Sequence, residues 1–492
     1  MLWLGYIYYA VFMILFTTLL TYFFKMTYYT KFLKSLTSTL ATPALLGPLL
    51  FFTFLAITTL YNLLDYGYNF QTLLVPFTST LFDYSSFNFT TGCTYTNFFF
   101  TAIYIFPYVY IFIVVTVLSI LFCLAYNTNE LTTFLLYVTT ILLAGYVLFF
   151  TNSLILFFFA YEMLLVPSFF ILYNFAKTRR CVEAAYLMFF WTQFGALFLI
   201  FMFLYIFVIT GSSSFTAVSE FYFNTYELNV IFFCLLLGFG VKLPIWPFYG
   251  WLPKAHVEAS TNFSIFLSGV LVKFAFFGFL KCLILIQLEP TFYFVYPFLT
   301  IGITDAVFKL FFQFDLKKLV AYSTVVEMHW LIICVISGQA ALMLSAFCML
   351  ISHALLSTNS FLLVDAIGRR FKTRLITEVS GINFLSPKLF LVALLNLLVF
   401  LGFPGSIMFI SEILFFSFMF DLFPVLFFYL LVLLYLIGPT MFFRTWVNVL
   451  FGSSVYLLKR LPTDLSSKEL IIYLGLLILM FWLGFSWQTF LF

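Results

Sequence analysis

Long apolar runs separated by short polar stretches govern this chain from end to end. A run crosses a bilayer as a helix when it holds about 20 predominantly apolar residues. By that measure the sequence predicts about 14 spans, near 1–24, 44–64, 98–125, 131–151, 153–175, 184–210, 229–251, 262–286, 291–312, 319–337, 339–365, 386–419, 423–443 and 470–490. The predicted fold class is an all-α polytopic membrane protein. Met1 to Phe24 reads as the first span, because it lacks a basic leading region and its apolar core is too long for a signal peptide. Residues 65–97 form the longest early polar stretch, with a turn at Thr91-Gly92.

Composition removes the competing classes. Hydrophobic residues make up 64% of the chain and charged ones 8%, where a soluble domain carries about 25% charged residues. So little charge cannot cover the surface of a soluble enzyme, a disordered chain or a nucleic-acid binder. The 77 Phe and 31 Tyr have AT-rich codons, an association with an AT-rich genome such as an organelle's. The cysteines, at 93, 123, 181, 234, 282, 334 and 348, form no C-x-x-C pair, which argues against a zinc site or an iron–sulfur cluster in this chain. Three histidines are too few for a membrane cytochrome, which needs paired axial ligands on facing helices. Gly238-Phe239-Gly240 does not continue into a dinucleotide-binding fingerprint.

The placement of charge tests the segmentation. Eighteen of the 22 basic residues fall in loops that follow odd-numbered spans: Lys25, Lys31, Lys34; Lys177, Arg179, Arg180; Lys254; Lys317, Lys318; Arg369, Arg370, Lys372, Arg374, Lys388; and Arg444, Lys459, Arg460, Lys468. The even loops hold none. This alternation predicts an even number of helices, with the odd loops on the matrix- or cytoplasm-like side and both termini on the other.

The remaining four, Lys242, Lys273, Lys281 and Lys309, fall inside spans. A basic residue at a helix centre costs at least about 2.5–3.5 kcal/mol, so each is a functional candidate. Lys281 and Lys309 lie near helix ends, where snorkelling to the interface accounts for them. Lys242 and Lys273 lie deeper. Glu162, Glu327, Glu412, Asp305 and Asp365 also fall in spans, and His353 is the most deeply placed histidine. A lysine and a glutamate in one dry site can exchange a proton, or release one when the pairing breaks. These groups are the chemistry that a proton path requires.

Two helices read as broken. The seventh carries Val241-Lys242-Leu243-Pro244-Ile245-Trp246-Pro247, then Gly250 and Pro253; the twelfth carries Gly402-Phe403-Pro404-Gly405-Ser406 shortly before Glu412. Proline removes a backbone bond, and a break at membrane depth is tolerated where it lines protein or a wet cavity. Breaks in corresponding halves point to ion sites between inverted repeats. The spacing suits such a repeat, with 80 residues from Glu162 to Lys242 and 85 from Glu327 to Glu412. The expected division is 1–130 (three helices and the polar loop), 131–286 and 291–448 (five helices each, and therefore inverted), and 449–492 (a last helix).

Several tracts carry a resemblance. Val241-Lys242-Leu243-Pro244 running to Trp251-Leu252-Pro253-Lys254-Ala255-His256-Val257-Glu258-Ala259 resembles the signature of the chain 4 family of NADH–quinone oxidoreductase, respiratory complex I (the M chain in bacteria). Tyr161-Glu162-Met163-Leu164-Leu165-Val166-Pro167 resembles the family's Phe-Glu-x-x-x-x-Pro helix. Gln313-Phe314-Asp315-Leu316-Lys317-Lys318-Leu319-Val320-Ala321-Tyr322-Ser323 resembles its Gln-x-Asp-x-Lys-x-Leu-x-Ala-Tyr-Ser segment. Gly402-Phe403-Pro404 with Glu412 resembles its twelfth helix. The resemblance covers about residues 130–450 in order; the flanks match only in hydropathy.

The resemblance implies a proton-pumping, antiporter-like subunit of NADH:ubiquinone reductase in the membrane arm. No cofactor is then expected in this chain, while FMN and iron–sulfur clusters reside in partner subunits. Adjacent antiporter-like chains, the lipid bilayer, protons and internal water are the expected partners, and nucleic acid is not. The implied location is the mitochondrial inner membrane, with basic loops to the matrix and both termini to the intermembrane side. Glu162 resembles the family's fifth-helix glutamate, paired with the seventh-helix lysine, here Lys242. Lys273 resembles the central eighth-helix lysine, His353 the eleventh-helix histidine, and Glu412 the terminal glutamate on the exit side. Four residues after Ser323, where the family usually has histidine, stands Glu327. Either Glu327 takes over as proton carrier, which is the expectation, or the path differs. His329 falls nearly on the opposite helix face, at about 100° per residue. Ser260 replaces the family's proline, which is expected to relax the start of the eighth helix. His256 and Glu258 are expected at the surface. A multisubunit cation/proton antiporter with the same fold is the alternative reading, and a scaffold with a degenerate pump the third.

Overall fold

The computed structural model describes residues 131–174, 178–285, 294–452 and 463–485. The first three predicted spans, the loop at 65–97, Lys25, Lys31, Lys34, Lys177, Lys459, Arg460, Cys93 and Cys123 lie outside the described residues.

From residue 131 on, each predicted span coincides with a helix or a broken pair. They are α1 (Leu131–Phe150), α2 (Leu154–Asn174), α3 (Arg179–Thr210), α4 (Thr225–Lys242), α5 (Trp251–Glu258) and α6 (Thr261–Ile284). There follow α7 (Val295–Phe311), α8 (Leu316–Ile336), α9 (Ala340–Phe371), α10 (Pro387–Phe400), α11 (Ile407–Leu422), α12 (Pro424–Phe451) and α13 (Ser467–Phe485). Among the described residues there is no strand, and seven helices are long and apolar enough to cross a bilayer. Helix α9 runs further than predicted and takes Arg369 and Arg370 into its last turn, where cations offset the exposed carbonyls.

Helix ends follow local chemistry. Asn224 and Glu227 close a capping box on α4. Asp315 accepts the Lys317 N–H at 2.8 Å to cap α8. Ser260, expected to loosen the start of α6, instead caps it, its hydroxyl accepting the Phe263 N–H at 3.4 Å.

Among the described residues, the loops that follow odd-numbered spans gather at one end and those that follow even-numbered spans at the other. At one end the basic loops touch one another. Thr178 donates to Glu258, Lys317 to the Ala259 carbonyl and Arg374 to the Val257 carbonyl, and Arg374 pairs with Asp315 at 3.5 Å. At the other end Ser153 bridges Ser214, and Lys281 reaches the Thr151 carbonyl at 2.7 Å. Lys281 thus ends on a helix-terminal carbonyl and over the Phe215 ring.

The centre of the bundle is set by what each helix buries. In an 18-residue apolar stretch of each helix, buried positions make up 94% for α6 and α8 and 83% for α9, against 39% for α3 and 24% for α12. Apolar lipid gives helices little reason to associate, so close packing must do so. Small residues permit it: a Cβ on Gly195 of α3 would stand 2.7 Å from the Gly238 carbonyl of α4.

The segment before α13 clasps the basic end. Pro387 opens α10 without an N–H, and the next two amides, of Lys388 and Leu389, donate to the Asp464 carboxylate at 3.0 and 3.2 Å. Arg370 pairs with Glu469 at 2.6 Å beside it. Asp464→Ala is expected to remove about 1–2 kcal/mol of stability, the usual worth of a helix cap. Thermal inactivation of the protein in its membrane should begin at lower temperature, with room-temperature turnover unchanged. An unchanged inactivation curve would show that the clasp contributes nothing.

Candidate functional site

Both predicted breaks exist, and each exposes backbone groups that side chains then satisfy. Helix α4 ends at Lys242 because Pro244 has no amide for the preceding turn. The Gly240 carbonyl accepts the Ile245 N–H instead, at 2.8 Å, and the Trp251 indole donates to the Val241 carbonyl at 2.9 Å. Helix α10 ends in a Schellman turn. Gly402 takes the left-handed conformation at φ 68°, the Phe403 N–H reaches the Leu398 carbonyl and the Gly402 N–H that of Val399. Ser406 restarts the chain as the cap of α11.

These breaks deliver charged groups to the interior. Lys242 Nζ lies 3.5 Å from Glu162 Oε1, with the two side chains 13% and 19% exposed. Gln193 donates to the other Glu162 oxygen at 3.0 Å. Helix α2 is interrupted at Leu164, before Pro167, and the Tyr161 carbonyl accepts Lys242 Nζ at 3.1 Å. The same ammonium lies 3.4 Å over the Tyr161 ring, a favourable cation–π placement.

A second cluster occupies the bundle centre. Lys273 contacts His353 Nδ1 directly and donates to the Ser268 carbonyl at 2.5 Å. His353 Nε2 lies 3.6 Å from Glu327 Oε2, with both side chains buried. An ammonium only donates, so with Lys273 charged Nδ1 accepts and Nε2 carries the ring proton toward Glu327. The imidazole is thereby placed as a two-sided relay between a lysine and a glutamate. Glu412, the third position, is buried on α11, and Tyr435 donates to it at 2.8 Å.

Six predicted residues therefore form three stations: Glu162–Lys242, Lys273–His353–Glu327, and Glu412. Among the described residues no hydrogen bond joins one station to the next.

Residues 151–438 match the family model described as NADH:quinone oxidoreductase/Mrp antiporter, TM. The chain belongs to this family. The matched stretch contains every residue of the three stations. NADH-ubiquinone oxidoreductase chain 4 of Paramecium tetraurelia is 37% identical over 67% of this chain and 70% of its own length. The fold resembles a chain of respiratory complex I from Thermus thermophilus, with TM-score 0.70, 19% identity and coverage of 78% of this chain and 82% of that one. It also resembles a chain of the Mrp complex from Dietzia sp., with TM-score 0.68, 14% identity and coverage of 78% and 80%. At these identities the likeness is one of fold.

Within this family member, several residues escaped the sequence reading. Tyr435 is presented by a π-turn, Val432–Ile437, and Ser268 lies in another, Leu267–Leu271, just before Lys273. Such turns shift side-chain register and recur at functional sites. His256 is not at the surface: it is fully buried and stacks on Phe361 at 4.8 Å, while Glu258 is half-buried and bonded to Thr178. Lys317, counted with the loop charges, is buried too and donates to the Ala259 carbonyl at 2.6 Å. Adjacent positions on a helix point about 100° apart, so a Lys317-Lys318 pair at a helix start sends one of the two inward. Lys309 is more than a snorkelling charge, since it pairs with Asp305 at 2.7 Å and donates to Tyr249 at 2.6 Å.

Proposed function

We propose that this chain is a proton-translocating subunit of the membrane arm of an NADH:ubiquinone oxidoreductase. Electron transfer from NADH to ubiquinone takes place in partner subunits that hold FMN and iron–sulfur clusters; this chain holds none and carries protons. The setting is the mitochondrial inner membrane, with the basic loops on the matrix side, both termini on the intermembrane side, and adjacent antiporter-like chains as neighbours. The division at 131–286 and 291–448 into two inverted five-helix units belongs to the same reading.

The observation that carries it is the Lys273–His353–Glu327 array, a close-set group of proton donors and acceptors buried in an apolar bundle. Ionisable residues at such depth persist for a function. Protons enter this reading from the basic-loop side near Glu162 and Lys242, cross to Lys273 through internal water, pass through His353 to Glu327, and leave near Glu412. Buried Tyr161 OH, Glu162 Oε1, His353 Nε2 and Glu327 Oε2 have no hydrogen-bond partner among the described residues. Their capacity is available to water or a passing proton. Breaking the Glu162–Lys242 pair is the step on which quinone reduction acts.

The test uses Lys242→Ala and Glu162→Gln in the assembled complex. In sealed vesicles both should lower NADH-driven proton uptake by roughly tenfold to a hundredfold, the scale of a lost proton-transfer group. Unchanged turnover and pumping would end the proposal. Copurification without flavin and iron–sulfur subunits, together with sodium-dependent proton flux in the absence of NADH, would instead assign the chain to a cation/proton antiporter.

A further inference from the structure

His329 belongs to none of the three stations, yet its surroundings are built as closely as theirs. It is fully buried on α8, two residues beyond Glu327. Its Nε2 accepts the Trp246 N–H at 2.8 Å. Trp246 lies in the break after Lys242, between two prolines, and its amide finds this acceptor on another helix, 83 residues along the chain.

Donor and acceptor rules fix the state of the ring. A backbone amide only donates, so Nε2 must carry a lone pair. The proton of the neutral ring is then on Nδ1, which donates to the Val325 carbonyl at 2.8 Å. A doubly protonated ring has no lone pair for Trp246. The space is also specific, because a Cβ on Gly302 of α7 would overlap His329 Nε2. Tyr249, three residues after Trp246, packs edge-on against the imidazole at 6.3 Å, and its hydroxyl is held by Asp305 and Lys309 of α7. Two consecutive turns of the break are thus anchored to α7 and α8.

We propose that His329 is a positioning residue that ties the broken helix bearing Lys242 to the helix bearing Glu327, through the Trp246 N–H. The tie rests on the proton-translocation reading above and adds to it a physical link between the first and second stations, which no hydrogen bond joins directly. A shift of the break when the Glu162–Lys242 pair opens pulls on α8, and a shift of α8 is felt at Lys242. Bistable elements joined in this way are what coupling between sites requires.

The experiment compares His329→Leu, His329→Gln and His329→Asn in the assembled complex in sealed vesicles, reading protons moved per NADH oxidised. Gln places an amide oxygen near the position of Nε2 and can accept the Trp246 N–H; Asn is too short, and Leu has no acceptor. The ratio should fall by about fivefold or more in Leu and Asn, the factor matching one buried N–H left unpaired. It should return to near normal in Gln. If Leu reduces the amount of assembled complex on native gels, the Gln and Asn pair carries the comparison, since both are polar. Equal ratios in Gln and Asn, or a normal ratio in Leu, would overturn the tie. Lys242→Ala is run in parallel: a normal ratio there sinks the translocation reading itself, whereas a loss there beside equal Gln and Asn ratios sinks only the tie.

Discussion

Lys273→Leu is expected to abolish proton translocation if the proposed path is right. The ammonium donates to the Ser268 carbonyl and contacts His353 Nδ1, so the proposed path turns on it. Without it His353 has no proton source on its Nδ1 side. Removing a positioned proton-transfer group costs roughly a hundredfold or more in rate. The change also acts on stability. Glu327 loses the cation that lies across the imidazole, and an uncompensated partner of a buried charge pair costs about 3–5 kcal/mol. Lys273→Leu should therefore lower both the amount of assembled complex and the protons moved per NADH by each complex that remains. The double variant Lys273→Leu/Glu327→Leu should recover assembly, since no charge is left alone, and should still translocate nothing. Native-gel quantitation and acidification of sealed vesicles separate the two effects. A single variant that acidifies vesicles at more than roughly a tenth of the normal rate would take Lys273 out of the path.

Much of this arrangement was legible because charge is so scarce. With 8% charged residues, a lysine in the middle of an apolar run has no ordinary explanation, and Lys242 and Lys273 stood out for that reason alone. The breaks were legible because Pro244, Pro404 and their glycines leave a helix no way to continue. The gathering of the described basic loops at one end followed from the placement of the basic residues and reappears in the contacts there. What stayed hidden depends on distant partners or on backbone register. Tyr435 is one of 31 tyrosines, and nothing in Val432–Ile437 announces a π-turn. His256 and Lys317 lie in polar stretches that read as loop, and only the packing of α5 and α8 against the bundle turns them inward. His329 was placed on the wrong face for the path, correctly, but a side chain that serves a backbone amide of another helix leaves no local pattern.

Gly402→Ala should damage the last station without replacing a titratable residue. Gly402 holds φ 68°, a conformation that costs a residue with a Cβ about 1–2 kcal/mol. The added methyl would also occupy the place of the Glu412 carboxylate, which is buried and accepts the Tyr435 hydroxyl at 2.8 Å. The carboxylate must move or the turn must open, and either breaks the bond that aims it. Gly405→Ala separates strain from displacement. Gly405 also has a positive φ, 90°, but its Cβ would meet the ring edge of Phe485 and no carboxylate. Both variants should lower the temperature of thermal inactivation. Only Gly402→Ala should also lower the protons moved per NADH, by roughly tenfold or more if Glu412 is a proton-transfer group. A second change, Tyr435→Phe, removes the same hydrogen bond without crowding and should weaken translocation in the same direction, more mildly. If Gly402→Ala and Gly405→Ala lose stability alike and both pump normally, the carboxylate of Glu412 has no part in the release of protons, and the exit must be sought elsewhere on α11.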